Sequence, residues 1–208
     1  QLVFGTDPVE DRQHQAGQRP LEGRLAVVAG GPGTGKTRTV ARLLAAALVV
    51  EPELQLALCA PTGKAAARMT EAVQSAVEQL AQEAELAQQP GLAYGMQGAQ
   101  GGDGARVSPI VLDRLRSAEA TTVHRLLGRS RRGGTRHDHR NPLPHDLVVV
   151  DETSMVDLPL MTRLLDALRP EARLVLVGDP DQLASVEAGT VLADLVAEVT
   201  DVEHFVFS

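Results

Sequence analysis

Eight consecutive residues, Gly30-Gly31-Pro32-Gly33-Thr34-Gly35-Lys36-Thr37, combine what a bound phosphate needs. Glycines let a loop fold tightly enough to turn successive backbone N–H groups inward. A helix starting at its end adds the positive pole of its dipole. The spacing is G-x4-G-K-[ST], the P-loop pattern. In it Lys36 reaches the β- and γ-phosphates and the Thr37 hydroxyl holds Mg²⁺. The pattern counts only between a strand and a helix. Here the apolar run Leu25–Ala29 precedes it, and Lys36–Val49 follows with helical character.

A second chemical pair, Asp151-Glu152, closes the apolar run Leu147–Val150. In an open parallel sheet, ligands bind beyond the carboxyl ends of the strands. Asp151 there reads as the Mg²⁺ ligand, through water, and Glu152 as the base or orienter of an attacking water. Alone, Asp151 also reads as the start of the next helix; the phosphate loop upstream favours the metal role. A third polar group, Val177-Gly178-Asp179-Pro180-Asp181-Gln182, follows another apolar run. Gln182 is placed to contact a γ-phosphate or its water. The same segment is also a good Gly-Asp-Pro turn.

Pro61-Thr62-Gly63-Lys64 repeats the same physics between a strand and a long helix, and suits a nucleic-acid backbone phosphate. Of 20 basic residues, only Lys36 and Lys64 are lysine; the other 18 are arginine. Both lysines follow a glycine at a helix start, where a compact ammonium is useful. That shared position favours a function for Lys64, with an ordinary solvated lysine as the alternative reading.

The elements that must position these groups alternate. Strands are expected at Leu25–Ala29, Leu54–Cys59, Leu147–Val150 and Arg173–Val177. Helices are expected at Lys36–Val49, Thr62 to about Gln89, Thr121–Leu127, Ser154–Leu168 and Thr190–Val199. Residues 1–24 form a lead-in and 25–200 one domain. Pro90–Pro109 reads as a Gly/Gln/Ala-rich insertion and Gly128–His145 as a basic loop. Asp201–Ser208 reads equally as a last strand or a truncation scar. This order predicts an α/β fold, a parallel sheet with helices on both faces.

Composition narrows the class. The 208 residues carry a net charge of −7, which argues against a polybasic coat for nucleic acid or membrane. Cys59 is the single cysteine, so a disulfide framework and a cysteine-rich zinc site are excluded. The apolar run Leu43–Val50 is too short to span a bilayer. A cytoplasmic protein is expected. A chain opening on Gln1 reads as a piece of a longer product.

The segments AGGPGTGKT (29–37), CAPTGKAAARM (59–69), TTVHRLLG (121–128), VVVDETSMVD (148–157) and LVGDPDQLASVEAG (176–189) stand in the order of the superfamily 1 helicase motifs. Their wording closely resembles the RecD family, the alpha subunits of exodeoxyribonuclease V, from about Gln13 to about Leu195. The resemblance implies a RecA-like, ATP-driven motor moving 5′-to-3′ on single-stranded DNA, in double-strand break repair and recombination. It implies ATP and Mg²⁺ at Gly30–Thr37, Asp151 and Asp179, catalysis by Lys36, Asp151, Glu152 and Gln182, and adenine reading by Gln13. Gln15 and Gln18 compete for that last role. It further implies DNA contacts at Pro61, Thr62, Gly63, Lys64, Thr122, His124 and Arg125, and RecB- and RecC-like partner subunits. Thr122 is equally consistent with a helix cap, and His124 with a packed ring. The arginines at 129, 131, 132, 136 and 140 suit a DNA strand, a solvated loop or a subunit contact.

Such motors place ATP between two RecA-like domains, the second of which supplies arginines to the transferring phosphate. No match to that second domain follows Val199, so nucleotide binding with poor hydrolysis is expected. Alternatives are a stand-alone superfamily 1 helicase, a non-motor nucleotide switch, or an inactive truncated product. The intact phosphate loop, Asp151-Glu152 and Gln182 argue against decay of the site.

Overall fold

The computed structural model describes residues 24–30, 35–86, 108–128, 134–178 and 202–207. Six strands form one sheet, β1 (Leu25–Gly30), β2 (Leu56–Ala60), β3 (Ala120–Thr122), β4 (Leu147–Val150), β5 (Arg173–Gly178) and β6 (Val202–Phe207), in the order β3-β2-β4-β5-β1-β6. Every pairing is parallel. Five α-helices are described: α1 (Lys36–Val50), α2 (Gly63–Leu86), α3 (Pro109–Arg116), α4 (Val123–Leu127) and α5 (Leu158–Asp166).

The sequence pattern explains the layers. All four residues of β4, Leu-Val-Val-Val, are buried, as befits a central strand covered on both faces. Side chains alternate between two cores. Ala26, Val28, Leu58, Leu147, Val149, Val175 and Val177 pack with residues of α1, α2 and α3. Val27, Ala57, Cys59, Val148, Val150, Leu174 and Leu176 pack with α4 and α5. Helices thus cover both faces, as the alternation of elements predicts. With few aromatics, the large buried side chains are leucines and valines.

At the amino edge Asp146 ties three strands together. Its Oδ2 accepts from Gln55 N at 2.8 Å, its carbonyl accepts from Arg173 N at 2.8 Å, and its Oδ1 pairs with Arg169.

Several boundaries differ from the sequence expectation. β2 starts at Leu56, not Leu54; Leu54 is buried in the preceding turn, and an apolar residue at a turn looks like strand. Pro109 opens α3 rather than ending a loop, because Ser108 caps it by accepting from Ile110 N. The expected helix Thr121–Leu127 divides: Thr121-Thr122 belong to β3, and Thr122 caps the short α4. The expected helix Ser154–Leu168 is also interrupted. A 3-10 turn, Thr153–Met155, comes first, and Asp157 then caps α5 by accepting from Leu160 N at 2.8 Å. α2 is described to Leu86, and residues 202–207 of the tail form a strand beside β1. Residues 90–107 of the insertion and the helix expected at Thr190–Val199 lie outside the described residues.

Leu43 of α1 is fully buried whereas Val50 at its end is 68% exposed. Leu43→Ala is expected to cost about 2–5 kcal/mol and Val50→Ala within about 0.5 kcal/mol, read from urea denaturation midpoints. Equal losses would show that α1 is not packed as described.

Candidate functional site at the carboxyl edge

Because every strand runs the same way, all carboxyl ends meet one edge. Along it the strand ends fall in the order Thr122, Ala60, Val150, Gly178, Gly30. Neighbouring strands stand about 4.8 Å apart. The expected nucleic-acid segment, at β2 and β3, therefore lies on one side of Asp151-Glu152. The end of β1 lies on the other.

On the phosphate side, Gly35 precedes α1 with φ 80°, the left-handed region that favours glycine. Among the described residues no side chain caps this helix, and its positive pole opens at Gly35. Thr39 is buried and its hydroxyl bonds back to the Gly35 carbonyl at 3.4 Å. Lys36 and Thr37 occupy the first turn of α1, both half-buried. Gly31, Pro32, Gly33 and Thr34 lie outside the described residues, as do Gln13, Asp179 and Gln182.

In the middle, Asp151 N donates to the Cys59 carbonyl at 2.9 Å, carrying the β2–β4 ladder one residue beyond the strand. Asp151 Oδ1 accepts from Glu152 N at 2.8 Å. Burial pushes the Asp151 carboxyl above its ordinary value, and the Glu152 charge pushes it the same way. The Glu152 N–H and the Lys36 charge oppose the rise. Lys36 and Asp151 thus share one electrostatic site although 115 positions separate them. A desolvated carboxylate beside a lysine fits a role in holding a hydrated cation that a phosphate group also contacts.

Sequence reasoning left out two features here. Glu152 has φ 51°, and it is the non-glycine residue with positive φ among those described. That turn redirects the chain away from β4 and ends the strand. Thr153, buried, then places its Oγ1 3.1 Å from the Val150 carbonyl and 3.0 Å from the Val177 carbonyl. It bolts β4 to β5 directly beneath the carboxylates. A threonine after two acids carries no sequence signal for this. Cys59 is inert: buried, its thiol pushed up to about 12, it donates to the Val149 carbonyl at 3.4 Å.

On the other side, Thr62 caps α2, its Oγ1 accepting from Ala65 N at 3.1 Å. Gly63 and Lys64 are exposed, and Pro61 is half-buried. A Cβ at Gly63 would meet nothing within 4 Å, so packing inside this chain does not require the glycine. Thr122 Oγ1 accepts from Arg125 N at 3.2 Å and is a cap. His124 and Arg125 are exposed, so His124 is not a packed core ring.

Residues 13–188 match the family model described as an AAA domain. The chain is 51% identical over 193 residues to the RecBCD enzyme subunit RecD of Mycolicibacterium smegmatis, covering 89% of this chain and 30% of that one. It is 40% identical over 195 residues to the same subunit of Haemophilus influenzae (91% and 27%). It is 38% identical over 172 residues to the ATP-dependent RecD2 DNA helicase of Deinococcus radiodurans (83% and 18%). It therefore spans less than a third of the length of these curated relatives. The crystal structure of the HK97 bacteriophage large terminase superposes with a TM-score of 0.55 at 17% identity, covering 99% of this chain and 40% of that one, a likeness of fold alone. The chain belongs to the AAA domain family, as a RecD-like member built on the RecA-like P-loop fold.

Proposed function

We propose that this chain is the ATP-binding first motor domain of a RecD-like 5′-to-3′ DNA helicase, working in the cytoplasm on single-stranded DNA with RecB- and RecC-like subunits. The observation that carries the reading is the parallel sheet that brings the start of α1, with Lys36, and Asp151-Glu152 after β4 to one carboxyl edge. Lys36 binds the β- and γ-phosphates, and Thr37 and Asp151 hold Mg²⁺, which supplies charge neutralisation on the phosphates when bound. Glu152 orients the attacking water. By the family resemblance, Asp179 and Gln182 contact the γ-phosphate side and Gln13 the adenine. Pro61–Lys64, Thr122, His124 and Arg125 form the strand side; the open space over Gly63 lets a backbone phosphate approach the start of α2. No helix among the described residues is long and apolar enough to cross a membrane.

A RecA-like domain that lacks a neighbour's arginine loses roughly 10³–10⁵ in rate in related phosphoryl-transfer systems. The first experiment is steady-state ATP hydrolysis by this chain with and without single-stranded DNA, beside equilibrium nucleotide binding. The expected result is tight binding, little turnover in either condition, and loss of binding in Lys36→Ala. Unchanged affinity in that variant would remove Lys36 from the phosphate site. Strong DNA-stimulated turnover would place the arginine within this chain or its self-assembly.

Lys64→Ala is expected to weaken single-strand binding and lower the slope of log affinity against log salt by about 0.7, leaving nucleotide affinity intact. An unchanged slope would return Lys64 to the solvated surface.

Asp151→Asn separates function from stability. The folded chain holds the Asp151 proton more tightly than the unfolded chain does, so ionisation at neutral pH costs stability. The neutral amide is expected to raise the melting temperature at pH 7, with the gain shrinking as pH falls through the raised carboxyl value. Mg²⁺-dependent nucleotide affinity should fall in the same variant. A lower melting temperature at pH 7 would contradict the burial of the charge.

A further inference from the structure

The turn after β4 is built around Glu152, at φ 51° and ψ 43°, left-handed backbone that suits glycine and not glutamate. Resting on the reading of Glu152 as the residue that orients the attacking water, we propose that Thr153 is its positioning residue. The Thr153 hydroxyl fixes the turn at Glu152. It thereby sets how fast a bound nucleotide is hydrolysed rather than how tightly it is held.

Anchoring is the first argument. β4 lies between β2 and β5. As the chain leaves β4, Asp151 is tied to one neighbour, its N–H donating to the Cys59 carbonyl at 2.9 Å. Two residues on, Thr153 is tied to the other, its Oγ1 3.0 Å from the Val177 carbonyl of β5. Glu152 is the single residue between these anchors, so the chain passes from one flank of β4 to the other within it. Its own backbone groups are tied as well: the N–H donates to Asp151 Oδ1 at 2.8 Å, and the carbonyl accepts from Met155 N at 2.9 Å. A strained backbone angle persists only where its surroundings over-determine it in this way.

Side-chain chemistry is the second. Thr153 is 3% exposed, and its hydroxyl meets two carbonyls, that of Val150 at 3.1 Å as well as that of Val177. One proton serves two acceptors, so the hydroxyl binds the end of β4 and the end of β5 as a shared donor. The β-branch stiffens χ1 and keeps that donor aimed. A Cβ at Gly178 would lie 3.8 Å from Thr153 Cβ, which puts the threonine directly against the end of β5. Valine would keep this shape and lose the donor; serine would keep the donor and lose the stiffness. The neighbouring Ser154 does not share the task. It is 5% exposed, and its Oγ has no hydrogen-bond partner among the described residues.

The third is what Thr153 does not touch. The groups assigned to the phosphates stand at the start of α1, and Asp151 keeps its own tie to Cys59. With its hydroxyl committed to two carbonyls and its side chain buried, Thr153 reaches the reaction only through Glu152. A residue that orients water must stand within hydrogen-bond reach of it, so a displaced Glu152 costs rate and not affinity.

The test is single-turnover ATP hydrolysis, with this chain in excess over ATP, beside equilibrium ATP binding. The variants are Thr153→Val, Thr153→Ala, Thr153→Ser, Glu152→Gln and the double variant Thr153→Val with Glu152→Gln. Thr153→Val and Thr153→Ala are expected to slow hydrolysis roughly tenfold with ATP affinity within about twofold of the parent. Thr153→Ser should recover most of the rate. In the Glu152→Gln background, Thr153→Val should cost nothing further, because two residues that act as one unit are not additive. An unchanged rate in both hydroxyl-free variants would overturn the proposal. So would a loss of rate matched by an equal loss of affinity, or a full further loss in the double variant. Amide hydrogen exchange supplies a readout that needs no turnover: Thr153→Val should speed exchange at the Glu152 and Met155 amides and leave Val149 unchanged. Unchanged exchange at both would also overturn the proposal. A Glu152→Gln rate equal to the parent's, with the exchange result as expected, would instead overturn the reading of Glu152 and leave Thr153 as the anchor of the turn.

Discussion

A sheet whose strands all run parallel has one chemical edge, and that constraint organises this molecule. Each strand must be followed by a crossover that returns the chain to the amino edge. Loops leaving the carboxyl ends are therefore gathered side by side, whatever their distance in sequence. The register sets which neighbours they acquire: Val150 stands between Cys59 and Leu176, and Ala29 opposite Gly178. The carboxylates after β4 fall between the end of β1 and the α2 start by topology. The amino edge carries the opposite duty. There Asp146 joins the starts of β2, β4 and β5 with structural hydrogen bonds.

The centre of the site is held in a state that folding alone would not favour. Asp151 is a carboxylate removed from water, and Glu152 occupies left-handed backbone without being glycine. Both cost free energy in the absence of a ligand. What holds them is the apolar β4 on one side and Thr153 on the other, whose hydroxyl lies between two strand carbonyls. A ligand that brings positive charge to Asp151 removes part of that cost, so binding and stability are linked at this residue.

Most of the architecture was legible because the period of the sequence is unambiguous in the centre. Short apolar runs such as Leu147–Val150, bounded by turn residues, read as strands covered on both faces, and α1 and α2 carry long helical periods. Legibility failed where tertiary contacts decide. Leu54 is apolar because a turn is buried, not because it is strand. Glu152 turns the chain by a backbone angle, so the helix expected from Ser154 starts again at Leu158. Pro109 looked like loop because its helix depends on a cap, Ser108. The phosphate loop and Asp151-Glu152 were legible as chemistry, since their residue types have few other reasons to occur together. Thr153 was not, because nothing local marks a hydroxyl that spans two strands.

The two helices that start beside lysines use one device with different caps. α1 begins at a left-handed glycine, with no side-chain cap among the described residues. α2 begins at Thr62, whose hydroxyl already satisfies Ala65 N. The uncapped start suits the multiply charged phosphates of a nucleotide, which compensate several N–H groups at once. The capped start has one N–H already satisfied and so presents a weaker field to an anion. The glycine before α1 and the threonine before α2 therefore rank the two starts, the first as the stronger anion site and the second as the weaker.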